Sequence, residues 1–129
     1  MDNLKERVKY ELDGEEGSFI FDLRCNLKWD HNKLVDVLNN FYKYILSIER
    51  TEFLERSISY GFWFFENFVK SWSEHEGFRS ANRYSEKYYI QAYEVIYFLV
   101  EWYFGYECPF ISHESFLDEI GLLNDYVRE

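Results

Sequence analysis

Proline occurs once in these 129 residues, at Pro109, and glycine six times. No stretch is rich in Gly, Pro or Ser, so the chain contains no recognisable linker. It reads as one domain over residues 1–129. No glycine-rich phosphate loop and no nucleophile elbow is present. Cysteine occurs twice, at Cys25 and Cys108, far apart in sequence. That is too few for a disulfide framework, and the expectation is two reduced thiols that pack as small buried groups. No apolar run reaches the ~18 residues that span a bilayer. The opening MDNLKERVKYELDG has no apolar core of a secretory signal. A cytoplasmic location is the expectation. Basic residues are scarce: 14 Lys+Arg stand against 24 Asp+Glu, a formal charge of -10. That balance speaks against a phosphate backbone and against an anionic membrane surface as partner.

What the chain has in excess is aromatic side chains: 13 Phe, 12 Tyr and 4 Trp, 22% of the residues. Acidic chains with few aromatics tend to be disordered. Here rings of roughly 150–250 Å² each supply the apolar area for a core. They exceed what so small a domain can hide, so some must be exposed. The phenolic hydroxyl makes Tyr the expected surface aromatic. An aromatic surface suits a protein partner.

Periodicity divides the chain in two. From Phe19 to Trp29 the apolar residues Phe19, Phe21, Leu23, Cys25, Leu27 and Trp29 alternate with Asp22, Arg24, Asn26 and Lys28. Ile20 is the one exception. Alternation predicts a half-buried strand. Val8, Tyr10 and Leu12 alternate ahead of it, and Asp13–Gly17 makes a hairpin loop between the two. Residues 1–12 also fit a short helix, with Leu4, Val8 and Leu12 as its stripe. Beyond residue 30 the pattern is helical. Asp30 caps a helix to about Glu49, with Leu34, Val37, Leu38, Phe41, Ile45 and Ile48 inward. Thr51 caps a second to about Ser73, and residues 73–82 read as a polar loop. Ser80 or Asn82 opens a third to about Phe104, ended by Gly105. Ser112 or His113 starts the last. The predicted fold is α+β, a β-hairpin packed on about four helices, with an all-α fold as the alternative.

Chemistry-bearing residues form no motif. His31, His75, His113, Cys25 and Cys108 lack the close pairing that a structural zinc site requires, and there is no HExxH. No cofactor or metal is expected, and no catalytic residue is assigned. The densest segment is Gly61-Phe62-Trp63-Phe64-Phe65-Glu66-Asn67-Phe68. On a helix it is apolar nearly all round, as central helices are. Trp63 and Phe64 fall off its Phe62/Phe65/Val69 face, and they need a second packing partner or a ligand. An aromatic-lined pocket around Trp63, in a small-molecule-binding or enzymatic domain, is therefore the alternative function. The leading candidate for a partner-binding surface is acidic and tyrosine-bearing: Glu49, Glu52, Glu55, Tyr60, Glu74, His75, Glu76 and Tyr84. Such a surface attracts a basic protein.

The stretch from Phe62 through Trp72 to His75, in a short acidic chain without a catalytic motif, resembles helical bacterial toxin immunity proteins. The resemblance implies a non-enzymatic, stoichiometric inhibitor that masks the active site of a basic, nuclease-like toxin domain. Closure of a homodimer through the exposed aromatics is a further expectation to test.

Overall fold

The computed structural model describes residues 3–105 and 107–128. Seven helices are described, and no strand occurs among these residues: α1 (Asn3–Leu12), α2 (Phe19–Asn26), α3 (His31–Ile48), α4 (Arg56–Ser73), α5 (Glu76–Ala81), α6 (Glu86–Gly105) and α7 (Glu114–Tyr126). The fold is all-α, and the expected β-hairpin is overturned. On the N-terminal segment the helical stripe prevails: Val8 and Leu12 are buried and Leu4 half-buried against the core.

The segment predicted as the second strand is α2 followed by a turn. Its buried residues are Phe19, Ile20, Asp22 and Leu23, a helical spacing. Ile20, the exception to the alternation, lies in the core, while Cys25 and Leu27 are exposed. Ser18 caps the helix by accepting a hydrogen bond from the Phe21 amide. Gly17, at φ +90°, turns the chain into that cap. Asp22 is buried as an ion pair. It accepts from Lys33 Nζ at 2.6 Å and from Asn26 Nδ2 at 3.0 Å. Burial pushes its carboxyl up, but these two bonds outweigh that and hold it below the usual aspartate value.

Asp30 caps α3 as expected, accepting from the Lys33 amide. Thr51 does not cap α4. Residues 49–55 form a loop, and Glu55 precedes α4 without a side-chain cap bond. The polar stretch after α4 is not all loop: α5 forms there and buries Phe78. The α6 start lies later than predicted, with Ser85 Oγ accepting from the Tyr88 amide. His113 precedes α7.

The packing explains the aromatic excess. Phe62 and Phe65 pack on Phe41, with ring centroids 4.9 and 5.0 Å apart, at the centre of the core. Phe64 finds its second partner within its own helix. Tyr60, Phe64, Phe68 and Trp72, each four residues apart, stack in a ladder, and Trp72 donates its indole N–H to the Leu23 carbonyl. Trp63 is left half in solvent. The expectation that tyrosines would be the surface aromatics holds for Tyr10, Tyr60 and Tyr97, which are exposed, but Phe53, Trp63 and Phe104 are exposed as well, and Tyr42, Tyr44, Tyr88, Tyr89 and Tyr103 are buried. Burial of a phenol is tolerated where its hydroxyl has a partner. Tyr88 Oη accepts from Trp29 Nε1 and lies 2.8 Å from His31 Nδ1, and Tyr103 Oη pairs with Ser59 Oγ.

Helix α1 crosses α4 at Gly61, where an added Cβ would stand 2.8 Å from Leu12 Cβ. The glycine thus admits the neighbouring helix. It costs α4 only ~1 kcal/mol of propensity relative to alanine. No described helix is long and apolar enough to cross a membrane.

Candidate functional site

The direction of the helices sorts the surface into two ends. Ser59 of α4 meets Tyr103 of α6, and Ser73 of α4 meets Tyr93 of α6. The two helices are therefore antiparallel, and the start of α4 lies beside the end of α6. The α3–α4 loop and the α6–α7 loop share that end. The eight residues predicted as one partner-binding surface do not share it. Glu49, Glu52, Glu55 and Tyr60 lie at the start of α4, whereas Glu74, His75 and Glu76 lie at its far end. The eighteen residues of α4 separate Glu55 from Glu74, roughly 27 Å at 1.5 Å per residue. Tyr84 belongs with the far group and serves the fold. It is half-buried, its hydroxyl donates to the Trp29 carbonyl, and its ring stacks on Tyr88.

The loop end is held by Glu49. Its carboxylate accepts from Trp102 Nε1 at 2.7 Å and lies 3.0 and 3.1 Å from His113 Nε2. Trp102 is buried and stacks on Phe116 of α7. One side chain thus ties the α3–α4 loop to α6 and to the α6–α7 loop. Burial pushes the Glu49 carboxyl up, but the hydrogen bonds from His113 and Trp102 outweigh it and hold the group below the usual glutamate value. A carboxyl depressed in the folded state stabilises it fully above the ordinary value, and that contribution is lost as pH falls through the lowered one. The Glu49→Gln variant is expected to be less stable than wild type near neutral pH. The difference should shrink as pH falls below the ordinary value of 4.5. Denaturant melts across this range check it; a difference independent of pH would refute the role of the charge.

Around this hub several large apolar residues face solvent that no sequence pattern announced. Phe53 is 82% exposed, Ile111 fully exposed and Tyr60 61% exposed, and Leu46 and Phe104 also face solvent. Single exposed apolar residues are ordinary; a group of them at one end is the informative observation. Glu52, Glu55, Glu101, Glu107 and Glu114 are exposed at the same end, against Arg50, Arg56 and Lys5. Glu55 is paired with Lys5. The crevice between Ile48, Leu54 and Tyr103 holds about 80 Å³, too little for an organic ligand of ordinary size. The end presents apolar knobs among carboxylates, not a pocket.

The remaining candidates are dispersed. Cys25 is exposed, contrary to the expected burial, and Cys108 is half-buried; both are free thiols. Burial pushes the Cys108 thiol up, away from the reactive thiolate. His31 is engaged between Tyr88 and Asn124, and His75 is exposed ahead of α5. Among the described residues no three His, Cys, Asp or Glu side chains are grouped so as to hold a metal ion. Trp63 lines neither the crevice at the loop end nor the larger groove between α4 and α6. No protein-family model matches this chain, and no curated protein or solved structure matches it significantly.

Proposed function

We propose that the protein is a non-enzymatic binding protein that holds a basic protein partner at the loop end of the bundle. The reading that fits best is a stoichiometric inhibitor of the immunity type, covering the basic active-site groove of a nuclease-like toxin domain. The observation that carries it is the grouping at one end of Phe53 and Ile111, on two loops joined through Glu49, with Tyr60 near the start of α4, Phe104 near the end of α6 and exposed carboxylates. Exposed aromatic and aliphatic anchors supply affinity when a partner desolvates them, and surrounding carboxylates supply steering and selectivity for a basic surface.

The two ends of α4 provide an internal control. Glu52→Lys with Glu55→Lys reverses charge at the loop end; Glu74→Lys with Glu76→Lys does so at the far end. Both pairs change net charge equally and lie at exposed positions; because Glu55→Lys also breaks the pair with Lys5, thermal melts of both variants come first. With a panel of basic nuclease toxin domains, beginning with the product of the adjacent gene, the first pair is expected to slow association at low salt by ~10-fold or more. The second pair should have a markedly smaller effect. Equal slowing by the two pairs would mean that only net charge matters. Absence of any binding at micromolar concentration would count against the proposal as a whole.

A further inference from the structure

A second feature lies away from the loop end. Along the outer face of the antiparallel pair α4 and α6 runs an open groove of about 480 Å³, within the range of small-molecule sites. Glu66 and Lys70 form one wall, and Tyr93, Glu94, Tyr97 and Phe98 the other. Tyr93 is fixed there by its hydroxyl, which bonds Ser73 and accepts from Arg79. Tyr97 donates to Glu101 just beyond the groove at 3.3 Å.

Glu66 is the unusual member. It is half-buried in the wall, yet among the described residues its carboxylate accepts no hydrogen bond and forms no ion pair. Burial pushes this carboxyl up, and Lys70, one turn on, only partly opposes that from beyond ion-pair distance. A carboxylate that has lost part of its water without gaining a donor is stabilised by any cation that reaches it. Glu94 adds a second negative charge in the same lining, and the aromatic rings offer both apolar area and the negative faces that attract cations. Lys70 is the single cation among the lining residues, so the balance favours a positive ligand over an anion.

We propose that the α4–α6 groove binds a small organic cation: an ammonium group on an apolar body. The ammonium pairs with Glu66, with Glu94 close by, and the body lies against Tyr97 and Phe98. This site is separate from the loop end and stands or falls independently of the partner proposed there.

The test is titration of the ¹⁵N-labelled protein with 2-phenylethylamine, 2-phenylethanol and phenylacetate, which share a ring and differ in charge. The amine is expected to shift amides near 66–70 and 93–98, and to bind at least ~10-fold more tightly than the alcohol. Phenylacetate should bind more weakly than either. Glu66→Gln should abolish the preference for the amine while leaving thermal stability unchanged or raised, because it removes an uncompensated charge. A merely structural Glu66 would give the opposite stability result. Glu94→Gln, at an exposed position, should reduce the preference without affecting the fold. Equal binding of the three compounds, shifts confined to other parts of the molecule, or an undiminished amine preference in Glu66→Gln would each overturn the proposal.

Discussion

Asn82→Ala is expected to remove about 3–5 kcal/mol of folding stability. Asn82 is buried between α5 and α6. Its Oδ1 accepts from the Trp29 amide at 2.8 Å, and its Nδ2 donates to the carbonyls of Leu27 and Phe78 at 3.0 and 3.1 Å. The alanine side chain leaves the Trp29 amide and the Leu27 carbonyl without these partners. Each orphaned group costs about 1–3 kcal/mol. A further contribution comes from Leu27, which ends α2 in the left-handed region at φ 48°. A non-glycine residue holds that conformation only when its surroundings impose it, and the bond to Asn82 is part of what does so. Against a typical total of 5–15 kcal/mol, the loss leaves a marginal protein. Denaturant melts followed by tryptophan fluorescence measure it. Asn82→Asp sharpens the test: it can still accept from Trp29 but cannot donate to either carbonyl, so it should be similarly destabilised. A loss below about 1 kcal/mol in both variants would show that the turn holds itself.

That turn is also where sequence reasoning parted from the structure. Alternation from Phe19 to Trp29 is a genuine pattern, but it mixes two causes. Phe19 and Leu23 are buried because they share one face of a helix, and Trp29 is buried because the chain reverses after Leu27 and brings it back to the core. Its indole then packs edge-on to Phe19 and Tyr89, each 5.1 Å away. Cys25 and Leu27 continue the alternation without being buried at all. The decisive signals were small: Ile20 breaking the pattern, and Ser18 standing as a cap. The buried Asp22, read as a solvent-facing residue of a strand, depends on Lys33 from the next helix, a pairing invisible to periodicity. The long helices were legible because their stripes are long. The predicted inward residues of α6, from Tyr88 to Tyr103, are all buried. For the candidate site, proximity in sequence joined Glu49, Glu52, Glu55 and Tyr60, which lie at one end, to Glu74–Glu76, which lie at the other end of α4. Phe53 and Ile111 belong to no stripe, so periodicity does not single them out. Their signal is of another kind: a large apolar residue in a loop that no helix face claims.

Those two residues carry the second large effect. Phe53→Ala and Ile111→Ala are each expected to weaken partner binding by about 2 kcal/mol or more, roughly 30-fold, as truncated hot-spot residues do. Neither should change folding stability by more than about 0.5 kcal/mol, because their side chains already lie in water in the free protein. This dissociation between affinity and stability separates a binding surface from a packing one. Ile90→Ala is the control. Ile90 is also an exposed aliphatic residue, but it lies near the start of α6, at the opposite end from the two loops, and its truncation should leave affinity unchanged. Glu49→Gln stands between these classes. The Glu49 carboxylate is turned inward to Trp102 and His113, so by loosening the joint between the two loops the substitution should raise the entropic cost of binding and act mainly through faster dissociation. If a basic partner binds the Phe53→Ala/Ile111→Ala double variant as tightly as wild type, the loop end is not the interface. If the free wild-type protein instead sediments as a dimer that this double variant dissolves, the same anchors serve a second copy of the chain, and the partner surface must be sought elsewhere.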